Sequence, residues 1–180
     1  RFYNMGEVEV YDVAGDGSVA VGLVSNGPGV PVSGFTWTEA GGSIAFDLDH
    51  PTTESGALWC VSGDGLVVGG SASDPAWSSN RGFTWSAANG LVLPDDAPGG
   101  SESPYPQGLS SDGSVACGVA RDTDGDVGAR WAPALTTLGR LGAGDWSRAT
   151  SLSGDGSVLA GFSNRDSTGG DIEATRWTEA

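Results

Sequence analysis

The chain has 180 residues, of which 23 are acidic and 8 basic, giving a net charge of −15. Every basic residue is an arginine, and so acidic a surface repels phosphate backbones and anionic lipid, which excludes nucleic-acid partners and membrane-surface binding. No apolar run approaches the roughly 20 residues of a spanning helix, so the chain is not membrane-inserted; 38% hydrophobic residues, 31 Gly and 7 Trp describe an acidic, glycine-rich globular protein.

The chain opens at Arg1 with no apolar signal segment, and it reads as a processed or excised part of an exported protein. From there one phrase recurs four times: Val13-Ala-Gly-Asp-Gly-Ser-Val-Ala-Val-Gly22, Val61-Ser-Gly-Asp-Gly-Leu-Val-Val-Gly-Gly70, Leu109-Ser-Ser-Asp-Gly-Ser-Val-Ala-Cys-Gly118 and Leu152-Ser-Gly-Asp-Gly-Ser-Val-Leu-Ala-Gly161. Its anchors Asp16, Asp64, Asp112 and Asp155 are 48, 48 and 43 residues apart. A second anchor follows each at Trp37, Trp85, Trp131 and Trp177, with intervals of 48, 46 and 46.

Each repeat reads as four short strands. Strand A precedes the Asp-Gly pair (Ala57 to Ser62, Ala149 to Ser153), and strand B follows it (Ser18 to Val21, Ser157 to Ala160). Asp-Gly between two Val-rich runs predicts a hairpin with a two-residue primed turn, since Gly accepts positive φ without steric cost. Strand C carries the anchor Trp (Gly34 to Thr38), and strand D follows a glycine turn (Ser43 to Leu48, Leu91 to Leu93). Four-stranded units at a period near 45 residues predict an all-β, four-bladed β-propeller of antiparallel blades. The repeats fall at about 7–48, 55–95, 104–141 and 146–180 of a single domain spanning 1–180. The last repeat stops after its strand C, so residues 1–6 are expected to close the ring as its missing strand; a segment of a longer propeller is the alternative.

The phrases Leu138-Gly-Arg-Leu-Gly142 and Ser147-Arg-Ala-Thr-Ser-Leu-Ser-Gly-Asp-Gly-Ser-Val-Leu-Ala-Gly161 resemble the bacterial extracellular HAF-repeat family over essentially the whole chain. That family's Trp strand reads His-Ala-Phe-Arg-Trp; here it is Ser33-Gly-Phe-Thr-Trp37 or Gly128-Ala-Arg-Trp131, without the His. The resemblance implies a secreted or surface-displayed propeller and no established chemistry. The Ser-x-Asp-Gly element is also similar to the Asp-box of sialidase propellers, but the Trp of that motif is missing from the turn, so no sialidase activity follows.

The A–B and C–D turns are short and uniform, whereas the B–C and D–A segments are longer and differ between copies, which marks theirs as the recognition face. Three aromatics outside the repeat fall there, Trp77, Tyr105 and Trp146, and indole and phenol faces suit a sugar. The anchor tryptophans read as inter-blade core, and the anchor aspartates as turn formers. Asp122, Asp124 and Asp126 alternate around a Gly as in the opening of a Ca²⁺ loop, without the downstream bidentate Glu.

Catalytic candidates are sparse. His50 is the sole histidine, Cys60 and Cys117 read as two buried thiols rather than a disulfide or zinc pair, and no spacing selects a glycosidase pair from Glu54, Asp95, Asp96 and Asp122. The sequence thus predicts a non-enzymatic, extracellular structural or adhesive propeller that self-associates at a cell surface, filament or matrix. A carbohydrate-binding module and a glycan-active enzyme are the alternatives.

Overall fold

In the computed structural model, the described residues are 8–25, 32–46, 55–73, 80–100, 104–167 and 171–178. Among them the regular structure is all strand. β1 (Val8–Val13), β2 (Val19–Val24), β3 (Ser33–Thr38) and β4 (Gly42–Ala45) make blade 1; β5 (Ser55–Val61), β6 (Val67–Ser73), β7 (Arg81–Ser86) and β8 (Gly90–Val92) make blade 2. Blade 3 is β9 (Tyr105–Leu109), β10 (Ala116–Asp122), β11 (Gly125–Trp131) and β12 (Leu135–Thr137); blade 4 is β13 (Ser147–Leu152), β14 (Val158–Asn164) and β15 (Ile172–Thr178). Every blade is an antiparallel meander in chain order, and the fold is a four-bladed β-propeller. The closing strand expected from residues 1–6 lies outside the described residues.

The core lies within and between blades. Val21 of blade 1 packs with Leu58, Val61, Val68 and Phe83 of blade 2, and Cys117 of blade 3 with Ala149 and Leu159 of blade 4. Trp37 and Trp131 are buried, while Trp85 and Trp177 are partly buried against the same clusters. Cys60 and Cys117 are both buried free thiols; burial pushes Cys60 well up, helped by Asp12, and lifts Cys117 to about 12.

The Asp-Gly turns differ from the two-residue form that the dipeptide predicts. Each hairpin closes across four residues, by Ala14 N–H to Val19 O, Ser62 to Val67, Ser110 to Val115 and Ser153 to Val158. The anchor Asp sits mid-turn, and its Oδ1 accepts the N–H two residues on: Ser18, Leu66, Ser114 and Ser157 donate at 2.8–3.0 Å. The Gly that follows supplies positive φ, 75° at Gly17 and 68° at Gly113. Local capping by the Asp side chain thus replaces the primed turn.

The same turns contain a pH response. The Ser114 N–H, with the hydroxyls of Ser110 and Ser114, holds Asp112 at about 2, and the Ser153 hydroxyl with the N–H and hydroxyl of Ser157 does so for Asp155. Asp16 and Asp64, with one hydroxyl each, are lowered as well.

A second regularity sets the inner strand of every blade. The register of strand A slips by one residue at Tyr11, Trp59, Gln107 and Thr150, each five positions before its anchor Asp. Such a bulge bends the strand and re-aims one side chain. Across from it stands the last glycine of the repeated phrase. A Cβ on Gly22, Gly70, Gly118 or Gly161 would lie 1.9, 2.2, 1.9 or 1.9 Å from the carbonyl oxygen of Glu9, Ala57, Tyr105 or Arg148. The glycine is therefore required because strand A is pressed against it.

Two outcomes follow. Depressed carboxylates stabilise the fold above their unfolded pKa of 3.8 and lose that contribution as pH falls toward about 2; an Asp112→Asn, Asp155→Asn double variant should show a flatter melting temperature across that window, by calorimetry. Gly118→Ala should cost about 1–3 kcal/mol in denaturant unfolding, because the methyl meets rigid backbone.

Candidate functional site

The four bulge residues share one destination. Tyr11, Trp59, Gln107 and Thr150, one per blade, line a cavity of about 720 Å³ at the mouth of the propeller, with Tyr105, Arg121 and Arg148 among its other walls. It opens at the ends of strands A, B and C that meet in the B–C and D–A loops. The ring of Tyr11 lies 4.8 Å from that of Trp59, at 36°, forming an aromatic wall. The Trp59 Nε1–H donates to Ser71 Oγ at 2.9 Å, and the Tyr11 hydroxyl donates to Glu9 at 2.8 Å, so both rings have their polar tips fixed. Burial, then the bond to Glu9, raises the Tyr11 phenol, which keeps it protonated.

Opposite the rings stands a charged wall. Arg148 donates to Asp126 at 2.7 Å, and Arg121 lies 3.9 Å from the same carboxylate. Both arginine side chains are about half exposed, at 50% and 51%, and both line the cavity. Aromatic faces on one side and fixed donors and acceptors on the other can hold a polar ligand with an apolar face.

The sequence-predicted residues divide around this cavity. Tyr105 lines it, and its hydroxyl donates to the Asn80 carbonyl at 3.4 Å. Trp146 lines a neighbouring hollow of about 560 Å³ with Asp124, Asp145 and Phe162, its ring edge-on to Phe162 at 5.7 Å. The two hollows share Arg121, Asp126, Arg148 and Phe162. The loop carrying Trp146 is pinned by buried Asn164, whose Oδ1 accepts the Trp146 N–H and whose amide donates to Asp145 and to the Asp166 carbonyl. Trp77, His50 and Glu54 lie outside the described residues.

The acidic cluster is turned toward arginines. Asp122 accepts two bonds from Arg140, at 2.7 and 3.0 Å, which hold its carboxyl below the usual range. Asp126 faces Arg148 and Arg121, and the Asp124 N–H donates to Asp122. A cation gathering all three would have to displace Arg140 from Asp122 and compete with Arg148 and Arg121 for Asp126. Among the described residues, no group of three or more His, Cys, Asp or Glu side chains could hold a metal ion. Of the carboxylates considered for glycosidase chemistry, Asp96 lies 3.6 Å from Arg81, and Asp95 lines a separate hollow beside Trp131 and Pro106.

Sequence reasoning passed over Tyr11, Trp59, Gln107 and Thr150. The signal was weak: this position keeps a fixed distance from the Asp and the glycine, but it lies two residues before the repeated phrase and its neighbours differ between copies as well.

The chain matches no protein-family model and no curated protein sequence. Its fold is similar to solved propeller structures. Over 95% of this chain it superposes on TolB from Acinetobacter baumannii, with a TM-score of 0.63 and 12% identity, and on the putative TolB from Agrobacterium tumefaciens, with 0.64 and 18%. Hydrazine synthase of Kuenenia stuttgartiensis matches over 92%, with 0.51 and 12%. The chain spans about half the length of these proteins, 41%, 58% and 57% respectively. Among the described residues, no helix is long and apolar enough to cross a membrane.

The Asp122–Arg140 pair, whose side chains are only 19% and 13% exposed, anchors the β10–β11 hairpin beneath the cavity rim. Arg140→Ala should lower stability by about 1–3 kcal/mol, the scale of charge-assisted hydrogen bonds, and loosen that hairpin, as read by thermal melting and amide exchange at 122–126.

Proposed function

We propose that the protein is a non-enzymatic structural or adhesive propeller acting outside the cytoplasm, at a cell surface or in a filament or matrix. It associates with further copies and holds its surroundings through the cavity face. One observation carries this reading: a single repeat position, bulged in all four blades, delivers four different side chains to one cavity. Core packing would favour apolar residues there; Tyr, Trp, Gln and Thr are the vocabulary of recognition.

The charge and the HAF-repeat likeness support placement outside the cytoplasm. The electrostatics support a binding role rather than catalysis. Every carboxylate with a resolved shift, among the described residues, is held below its ordinary pKa, whereas a general acid working near neutrality needs one raised.

A second reading, that the ligand is carbohydrate, is favoured by the Tyr11–Trp59 wall facing Arg148 and Asp126. A pyranose offers an apolar face to stack on the rings and hydroxyls to pair with the charged wall. On a glycan array followed by calorimetry, the wild type should bind a glycan and Trp59→Ala should abolish that binding with melting still cooperative. Binding unaffected by Trp59→Ala but lost in Trp146→Ala would move the site to the neighbouring hollow, and an empty array would remove the carbohydrate reading.

A further inference from the structure

Two of the seams between successive blades are packed by a plug residue just past strand D. In blade 1 it is Phe46, whose N–H donates to the Gly34 carbonyl at 2.7 Å. Its ring crosses to blade 2 and stands edge-on to Trp85, at 5.2 Å and 87°. In blade 3 it is Leu138, whose N–H donates to the Gly128 carbonyl at 2.8 Å. Gly34 and Gly128 each lie three residues before the Trp of strand C. Leu138 joins the cluster of Ala149, Leu159 and Trp177 in blade 4. It follows its Trp by seven residues where Phe46 follows by nine, because Trp131 pairs with Leu135 and Trp37 with Ser43.

In blade 2 the plug position holds a proline. Pro94 stands nine residues after Trp85, has no N–H for the anchoring bond, and carries a smaller ring than Phe46. A hollow of about 290 Å³ opens there, between Thr84, Val92 and Pro94 of blade 2 and Pro106, Ala116 and Trp131 of blade 3. Trp131 is the counterpart of Trp85, so it offers this hollow the indole that Phe46 covers one seam earlier. Its Nε1–H is buried without an acceptor among the described residues, and an unpaired buried donor is rare in a finished core. Among the described residues that line the hollow, Asp95 alone is charged, and it is exposed. None of them lines either of the hollows beside Arg148.

We infer that this seam is a binding site separate from the cavity, and that it takes a small arylalkylamine, its ring against Trp131 and its ammonium on Asp95. The ring is specified by a fit the protein already makes, since Phe46 fills the equivalent space against Trp85. The volume lies at the lower end of ligand pockets, which suits one ring with a short chain. The charge is specified by Asp95, which in a chain of net charge −15 favours a cation and opposes a carboxylate. The site stands whatever the cavity holds, because it rests on other residues.

Phenethylamine titrated into the protein, with phenylacetate as the same ring of opposite charge, tests this by NMR. The Trp131 indole N–H resonance should shift and saturate with phenethylamine. Phenylacetate should bind about fivefold more weakly, the scale of an exposed ion pair made against one opposed. Asp95→Asn, a change at an exposed position, should bring the two ligands close together in affinity. Pro94→Phe restores the plug of blade 1 and should abolish binding, with melting still cooperative. Should Pro94→Phe fail to fold, Pro94→Leu, which repeats the plug of blade 3, should weaken binding in the same way. Phenethylamine that shifts Trp59 and leaves Trp131 unmoved belongs to the cavity and overturns the site. Binding unchanged in a folded Pro94 variant, or a preference for the amine unchanged in Asp95→Asn, overturns it as well. A Trp131 shift driven by protein concentration alone would give the hollow to a second copy, and that too overturns the inference.

Discussion

The pressing of strand A onto a glycine of strand B is the contact on which the rest of the molecule depends. Four times, a carbonyl oxygen occupies the space that any Cβ would take, so the phrase can end only in Gly22, Gly70, Gly118 or Gly161. That close approach accommodates one extra residue in the inner strand. The extra residue is freed from the in-and-out alternation of the sheet, and its side chain lines the central cavity. The structural requirement and the functional surface are thus two sides of one local distortion. The glycine must be kept for folding, while the residue facing it is free to vary.

The turn chemistry keeps that geometry in register. An Asp with its serine neighbours ties each A–B hairpin, and the positive-φ Gly after it sets the hairpin against the valine of the blade before in three of the four copies. Charge is used in the same economical way. Of the eight arginines in a strongly acidic chain, Arg140 anchors a hairpin and Arg121 and Arg148 share Asp126 at the cavity wall. Both charge signs therefore meet where a ligand would enter, and the net charge of −15 repels anionic polymers.

Much of this architecture was legible in the sequence, because two anchors in step over four copies admit few folds. The Asp-Gly pairs marked the hairpins correctly, yet not their length, since the side-chain capping that widens them to four residues depends on contacts that dipeptide preference does not encode. The candidate site was legible only in outline. The variable loops pointed to the end of the strands where Tyr105 and Trp146 line the two hollows, but the four blades meet in the larger one through Tyr11, Trp59, Gln107 and Thr150. Those residues sit inside strands, where alternation predicts either core or solvent, and a bulge obeys neither. The acidic run 122–126 matched a metal loop by pattern; the arginines that engage it, Arg140 and Arg148, come from outside that run and were invisible to local reading.

The central claim is that the bulged inner strands form the binding surface. Indole N–H resonances of the seven tryptophans, followed by NMR while a surface polysaccharide or a crude cell-surface extract is titrated in, test it most directly. The account predicts that the Trp59 resonance shifts and saturates while those of Trp37, Trp85, Trp131 and Trp177 stay in place. Saturable shifts confined to other tryptophans, with Trp59 unmoved, would contradict it.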